Sequence, residues 1–129
     1  MYPLPALVIA PPRALKSACE WDEERRYFNP LYNACMTDVP QALHRELSVL
    51  LGDGWRTDAS ERLAYSYDNS RRQALPDAVA LPTDRDQVVA LVCACREARV
   101  PIVARGRGTN TTGATVPVAG GVVVSFERM

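Results

Sequence analysis

At 129 residues the chain is the size of one modest domain. Its 15 Lys plus Arg balance 15 Asp plus Glu, so its formal net charge is zero. A nucleic-acid partner is not expected, because phosphate-backbone binding rests on a basic excess that this chain lacks. Pairs such as Arg25-Arg26 and Arg71-Arg72 read as solvated faces.

The apolar stretch from Leu4 to Leu15 is broken by Pro5, Pro11 and Pro12. It falls short of the roughly 20 apolar residues of a membrane-spanning helix. No basic residue precedes it, as one would in a secretory signal, so the cytoplasm is the expected location. Residues 1–37 also hold Pro3, Pro30 and several aromatics, with no sustained period. They read as a poorly ordered Pro-rich leader, and removing residues 1–35 is expected to leave thermal stability nearly unchanged. A start at Met36-Thr37-Asp38 is an alternative. The domain proper is placed at residues 38–129.

From Val39 the pattern becomes regular. Pro40 suits a first helical turn. Leu43, Leu47, Leu50 and Leu51 share one helical face, and Gly52 is a natural stop. Asp58 with Glu61 predicts a capping box opening a short helix to about Tyr65. Asp68-Asn69-Ser70 predicts a turn. Ala78–Leu81 reads as a strand ended by Pro82, with Thr83 as the cap of a helix over Asp86–Arg99. That helix carries Val88, Leu91, Val92 and Cys95 on one face. Pro101 precedes a second strand, Ile102–Ala104. Strand, helix and strand with short links imply a right-handed parallel βαβ crossover. A glycine-rich loop from Arg105 to Gly121 leads to a third strand at Val122–Val124. The expected class is α+β: a small three-stranded sheet with a βαβ crossover and flanking helices.

The four cysteines include no C-x-x-C pair, and His44 is the only histidine, so no zinc site is expected. Cys93 and Cys95 read as small packing residues, and His44 as an exposed side chain on a polar face.

The chemistry lies in Arg105-Gly106-Arg107-Gly108-Thr109-Asn110-Thr111-Thr112-Gly113. Glycines let the backbone adopt positive φ and approach a ligand closely. Successive amides in such a turn form an anion-binding nest. The threonines add hydroxyls, Asn110 an amide, and Arg105 and Arg107 positive charge. A diphosphate suits this set; a tight polar hairpin between strands is the other reading. A dinucleotide fingerprint would need glycine at 111, where Thr111 stands, and a Walker loop would need lysine where Ala114 stands.

The order of motifs then resembles a known family. Leu75-Pro76-Asp77-Ala78-Val79-Ala80-Leu81-Pro82, Gln87-Val88-Val89, Val100-Pro101-Ile102-Val103-Ala104-Arg105-Gly106-Arg107-Gly108-Thr109 and Val116-Pro117-Val118-Ala119-Gly120-Gly121-Val122-Val123-Val124-Ser125-Phe126 resemble FAD-linked oxidases of the vanillyl-alcohol oxidase type. These carry a PCMH-type FAD-binding domain. The nearest branch is that of the glycolate oxidase D-subunit and D-lactate dehydrogenase, which Asp68-Asn69-Ser70 also suits.

The resemblance implies FAD as cofactor and oxidation of a 2-hydroxy acid such as D-lactate or glycolate. Arg105, Gly106, Arg107, Gly108, Thr109 and Gly113 match the family's pyrophosphate loop, within which Asn110 lies. Pro82 and Val103 match positions near the cofactor, and Pro117, Gly120 and Gly121 match the exit from the loop. No catalytic or metal-binding residue is implied. In the family a further subdomain and a substrate cap follow, so the chain reads as an N-terminal part. It is expected to bind FAD weakly and to be inactive unless the remainder is supplied, for instance as a second chain. Val122–Ser125 is expected to be an exposed edge strand. A small non-redox nucleotide- or anion-binding α/β module is the alternative, and a pseudo-fragment without function a third reading.

Overall fold

A computed structural model describes residues 38–129. The expected leader, the Met36 alternative, Cys19 and Cys35 lie outside the described residues. The elements run α1 (Gln41–Leu51), a 3-10 turn (Gly52–Gly54), β1 (Trp55–Arg56), α2 (Ala59–Ala64), β2 (Ala78–Ala80), α3 (Arg85–Glu97), β3 (Ile102–Arg105) and β4 (Val122–Ser125).

The sheet has four strands in the order β1-β2-β4-β3. The three strands expected from sequence run parallel, and the two-residue β1 adds an antiparallel edge through Trp55 opposite Ala80. The expectation that β4 forms an exposed edge is overturned. Val122 pairs with Ala78 on one side and Ile102 on the other, and all four β4 residues are buried. The crossover through α3 leaves one strand-wide gap between β2 and β3, and β4 fills it. A run of Val-Val-Val suits such a position, where both faces and both edges are covered.

Alternation along the strands sorts the core into two faces. Ala78, Ala80, Val122 and Val124 face Leu43, Leu47 and Leu51 of α1 and Leu91, Ala94 and Cys95 of α3. Val79, Leu81 and Val123 face the other way, toward Tyr65 and Val103. Leu47 and Leu91 are 0% exposed. Burying a leucine to that extent stabilises a fold by about 1.5–3 kcal/mol.

The helix boundaries follow from local chemistry. Pro40 is the N-cap residue of α1 rather than part of its first turn, and Gly52 closes the helix at φ 54°. The Asp58 side chain accepts the Ser60 amide at the start of α2, while Glu61 pairs with Arg56 instead of returning to the cap. Asp84, one residue after the expected Thr83, caps α3 by accepting the Gln87 N–H at 2.8 Å. The Gln87 side chain then accepts the Thr83 N–H at 2.9 Å, which completes a reciprocal pair of capping bonds. The buried face of α3 is centred on Leu91, Ala94 and Cys95, with Val92 on its rim. His44 is not an exposed bystander, because its ring meets that of Trp55 edge-on at 5.5 Å.

Candidate functional site

Parallel strands give this domain two chemically different ends. β3 delivers Arg105, Gly106 and Arg107 at the carboxyl end of the sheet, where β4 delivers Phe126 and Glu127. Together with Ala64, Tyr65 and Met129 these residues line a cleft of about 550 Å³. Ligands of open α/β sheets gather at the carboxyl ends of strands.

The loop that leaves β3 holds its amides in reserve. Among the described residues, no backbone N–H from Gly106 to Thr115 donates a hydrogen bond to another group. Gly106 and Thr109 face open space or solvent, and a Cβ on Gly106 would meet nothing within 4 Å. Gly108 and Gly113 have φ of 68° and 81°, the left-handed region that favours glycine. Ten consecutive residues with unspent donors form a surface suited to a ligand rich in acceptors and negative charge. The donor set therefore fits a diphosphate.

Two side chains expected to add donors there, those of Arg105 and Asn110, are committed inward. Arg105 is 8% exposed and donates through Nη1 to the Tyr67 carbonyl at 2.7 Å. Its guanidinium also stands 5.6 Å from the Tyr65 ring centroid. It braces the loop against the segment after α2. Asn110 donates through Nδ2 to Asp68 Oδ2 at 2.9 Å and to Thr112 Oγ1 at 3.4 Å, so both its N–H groups are used. Arg107 is exposed and makes no ion pair among the described residues.

The remaining expected residues fall elsewhere. Pro82 is fully buried just past the carboxyl end of β2, and Val103 packs in the second core face. Pro117, Gly120 and Gly121 lie at the amino ends of the strands, opposite Gly106–Thr109. The Gly121 N–H donates to Asp77 Oδ2 at 2.6 Å, and the Asp77 N–H donates to the Gly121 carbonyl at 2.8 Å. A Cβ on Gly121 would come within 2.1 Å of the Pro101 carbonyl oxygen. These glycines fasten β2, β3 and β4 where they enter the sheet.

Tyr65 is not expected from sequence at the site, only as the end of a short helix. Its hydroxyl donates to Glu127 Oε1 at 2.8 Å. Burial, followed by the hydrogen bond to Glu127 and its charge, pushes the phenol up to about 12. Asp68 is a second residue missed beyond its turn. Its carboxyl is held below the usual value of 3.8, above all by its hydrogen bonds from Ser70. No group of His, Cys, Asp and Glu able to hold a metal occurs among the described residues, and no helix there is long and apolar enough to cross a membrane.

Residues 76–129 match the family described as FAD binding domain. Glycolate oxidase subunit GlcD of Bacillus subtilis is 48% identical over 69 residues, which is 53% of this chain and 15% of that protein. The mitochondrial D-lactate dehydrogenase [cytochrome] of Arabidopsis thaliana is 34% identical over 94 residues, 70% of this chain and 17% of that one. Among solved structures, alkyldihydroxyacetonephosphate synthase superposes with a TM-score of 0.64 at 26% identity, covering 70% of this chain and 21% of its own. A substrate-bound p-cresol methylhydroxylase gives 0.60 at 24%, covering 70% and 20%, a likeness of fold. The chain thus spans about a sixth of the length of these two curated relatives.

Proposed function

We propose that this chain, whose residues 76–129 match the FAD binding domain family, holds the diphosphate of FAD at Gly106–Thr109 within an oxidoreductase acting on a 2-hydroxy acid. The run of unpartnered amides from Gly106 to Thr115 carries this reading. Those amides donate to phosphate oxygens, Gly106 allows close backbone approach, and Arg107 adds an exposed positive charge. Gly113 turns the loop back toward β4. Pro82 and Val103 support the strands beside the cofactor, and Pro117, Gly120 and Gly121 fix their entry.

FAD held by Gly106–Thr109 would supply the hydride-accepting redox chemistry of the reaction. This chain's own residues bind and orient the cofactor; Phe126 and Tyr65 give its cleft an apolar wall on one side. The substrate class comes from the glycolate oxidase and D-lactate dehydrogenase relatives. Because the chain spans so little of their length, it is proposed to bind FAD without turnover by itself. Catalysis would then need further protein, in the same chain or as a partner.

Calorimetric titration with FAD and with riboflavin tests the reading. Saturable binding of FAD, with none of riboflavin, is the expected result, since only FAD carries a diphosphate. Equal binding of the two would contradict a diphosphate site. Binding of inorganic pyrophosphate as tight as that of FAD would favour a simple anion-binding module.

A further inference from the structure

A loop that offers its amides to a ligand needs a template behind it, because its backbone N–H groups from Gly106 to Thr115 make no hydrogen bonds that would fix its shape. The turn after α2 supplies one. The Tyr67 carbonyl accepts from Arg105 at 2.7 Å, and the Asn69 N–H donates to the Asn110 carbonyl at 3.2 Å. Asn69 Nδ2 donates to the Thr109 carbonyl at 3.2 Å. At the centre stands Asp68, 7% exposed. One carboxylate oxygen accepts the Ser70 N–H at 2.8 Å, and the other accepts Asn110 Nδ2 at 2.9 Å and Thr115 Oγ1 at 3.3 Å. Thr115 Oγ1 lies closer still to Asn110 Oδ1, at 3.0 Å, so its single hydroxyl proton is shared between the two acceptors.

We infer that Asp68 is the positioning residue of the FAD loop, acting through Asn110 and Thr115. This rests on the reading of Gly106–Thr109 as the diphosphate site. Asp68 lies outside residues 76–129, the part that matches the family.

The chemistry of the position is specific. Donors converge on both oxygens of residue 68, so only an acceptor-only side chain satisfies them. An asparagine there must turn its NH₂ either toward the Ser70 N–H or toward the Asn110 NH₂, donor against donor. Exchanging the two partners repairs the fault. With Asp68→Asn and Asn110→Asp together, the amide at 68 donates to a carboxylate at 110 and still accepts from Ser70.

The test is FAD titration of the full chain and three variants, with the thermal midpoint of each recorded. Asp68→Asn is expected to weaken FAD binding about tenfold, the scale of one charge-assisted hydrogen bond. The reciprocal pair Asp68→Asn/Asn110→Asp is expected to regain most of that loss, which a merely bulky or unstable substitution would not. Thr115→Val removes the hydroxyl that bridges Asp68 Oδ2 and Asn110 Oδ1 and is expected to weaken binding several-fold in a folded chain, which keeps the test alive if Asp68→Asn does not fold. Should the parent bind FAD while Asp68→Asn or Thr115→Val binds it equally well, the inference is overturned and the site reading stands. Should the parent bind no FAD, the site reading fails and the inference with it.

Discussion

The guanidinium of Arg105 lies directly beneath Gly108: a Cβ at residue 108 would fall 2.4 Å from Arg105 Nη2. Glycine is thus required at 108 for two reasons internal to the loop, its φ of 68° and this contact. Gly106, two residues earlier, has neither constraint. The pair separates folding from binding. Gly108→Val is expected to destabilise the chain by about 2 kcal/mol or more and to lose FAD with it. Gly106→Val is expected to change stability by less than about 1 kcal/mol while abolishing FAD binding by blocking backbone approach. Chemical denaturation alongside FAD titration checks both. Normal binding by folded Gly106→Val would remove that residue from the site.

Arg99 closes α3 in a conformation that suits glycine. Its φ is 56°, and the Val100 N–H reaches back to the Cys95 carbonyl at 2.9 Å, as at a helix end with a left-handed residue. Arg99→Gly is expected to stabilise the chain by about 0.5–1 kcal/mol, read as a higher denaturation midpoint with an unchanged slope. A lower midpoint would mean that the Arg99 side chain contributes more than its backbone strain costs.

The core should answer to the loss of a fully buried leucine. Leu91 is 0% exposed between the sheet and α1. Leu91→Ala is expected to cost about 2–5 kcal/mol, enough to unfold a large share of a small domain at physiological temperature. Val49→Ala on the exposed side of α1, where Val49 is 86% exposed, is expected to be nearly silent by the same denaturation assay.

Tyr65 sets an alkaline limit. Its folded value of about 12 lies above the usual 10, so the stability it contributes is full below pH 10 and is lost as pH rises from 10 through about 12. Ultraviolet titration of the phenolates should show a late component, near pH 12, that Tyr65→Phe removes. Identical titration curves for the two proteins above about pH 11 would contradict the burial of this hydroxyl against Glu127.

Much of this fold is legible in the sequence because it is local. The spacing of Leu43, Leu47 and Leu51 marks α1, Gly52 its end, Asp58 the start of α2, and the valines of 122–124 a strand. What escapes is what depends on distant partners. Strand order is set by which edge the chain reaches after a 16-residue connection, and nothing near Val122 encodes that it enters between β2 and β3. Trp55-Arg56 is too short to show a period. In the loop, glycine and hydroxyl content reveals an anion-binding surface, but not that Asn110 and Arg105 turn inward. That follows from Tyr67 and Asp68, some 40 residues earlier, docking beneath it.

The most direct test of the diphosphate cradle is to watch its amides. Backbone N–H resonances of the isotope-labelled chain, followed during FAD titration, should shift most and saturably at Gly106 to Thr109, with smaller changes toward Thr115 and none in α1. Saturable shifts confined to other residues, with Gly106 to Thr109 unmoved, would contradict the assignment of this loop as the place where FAD is held.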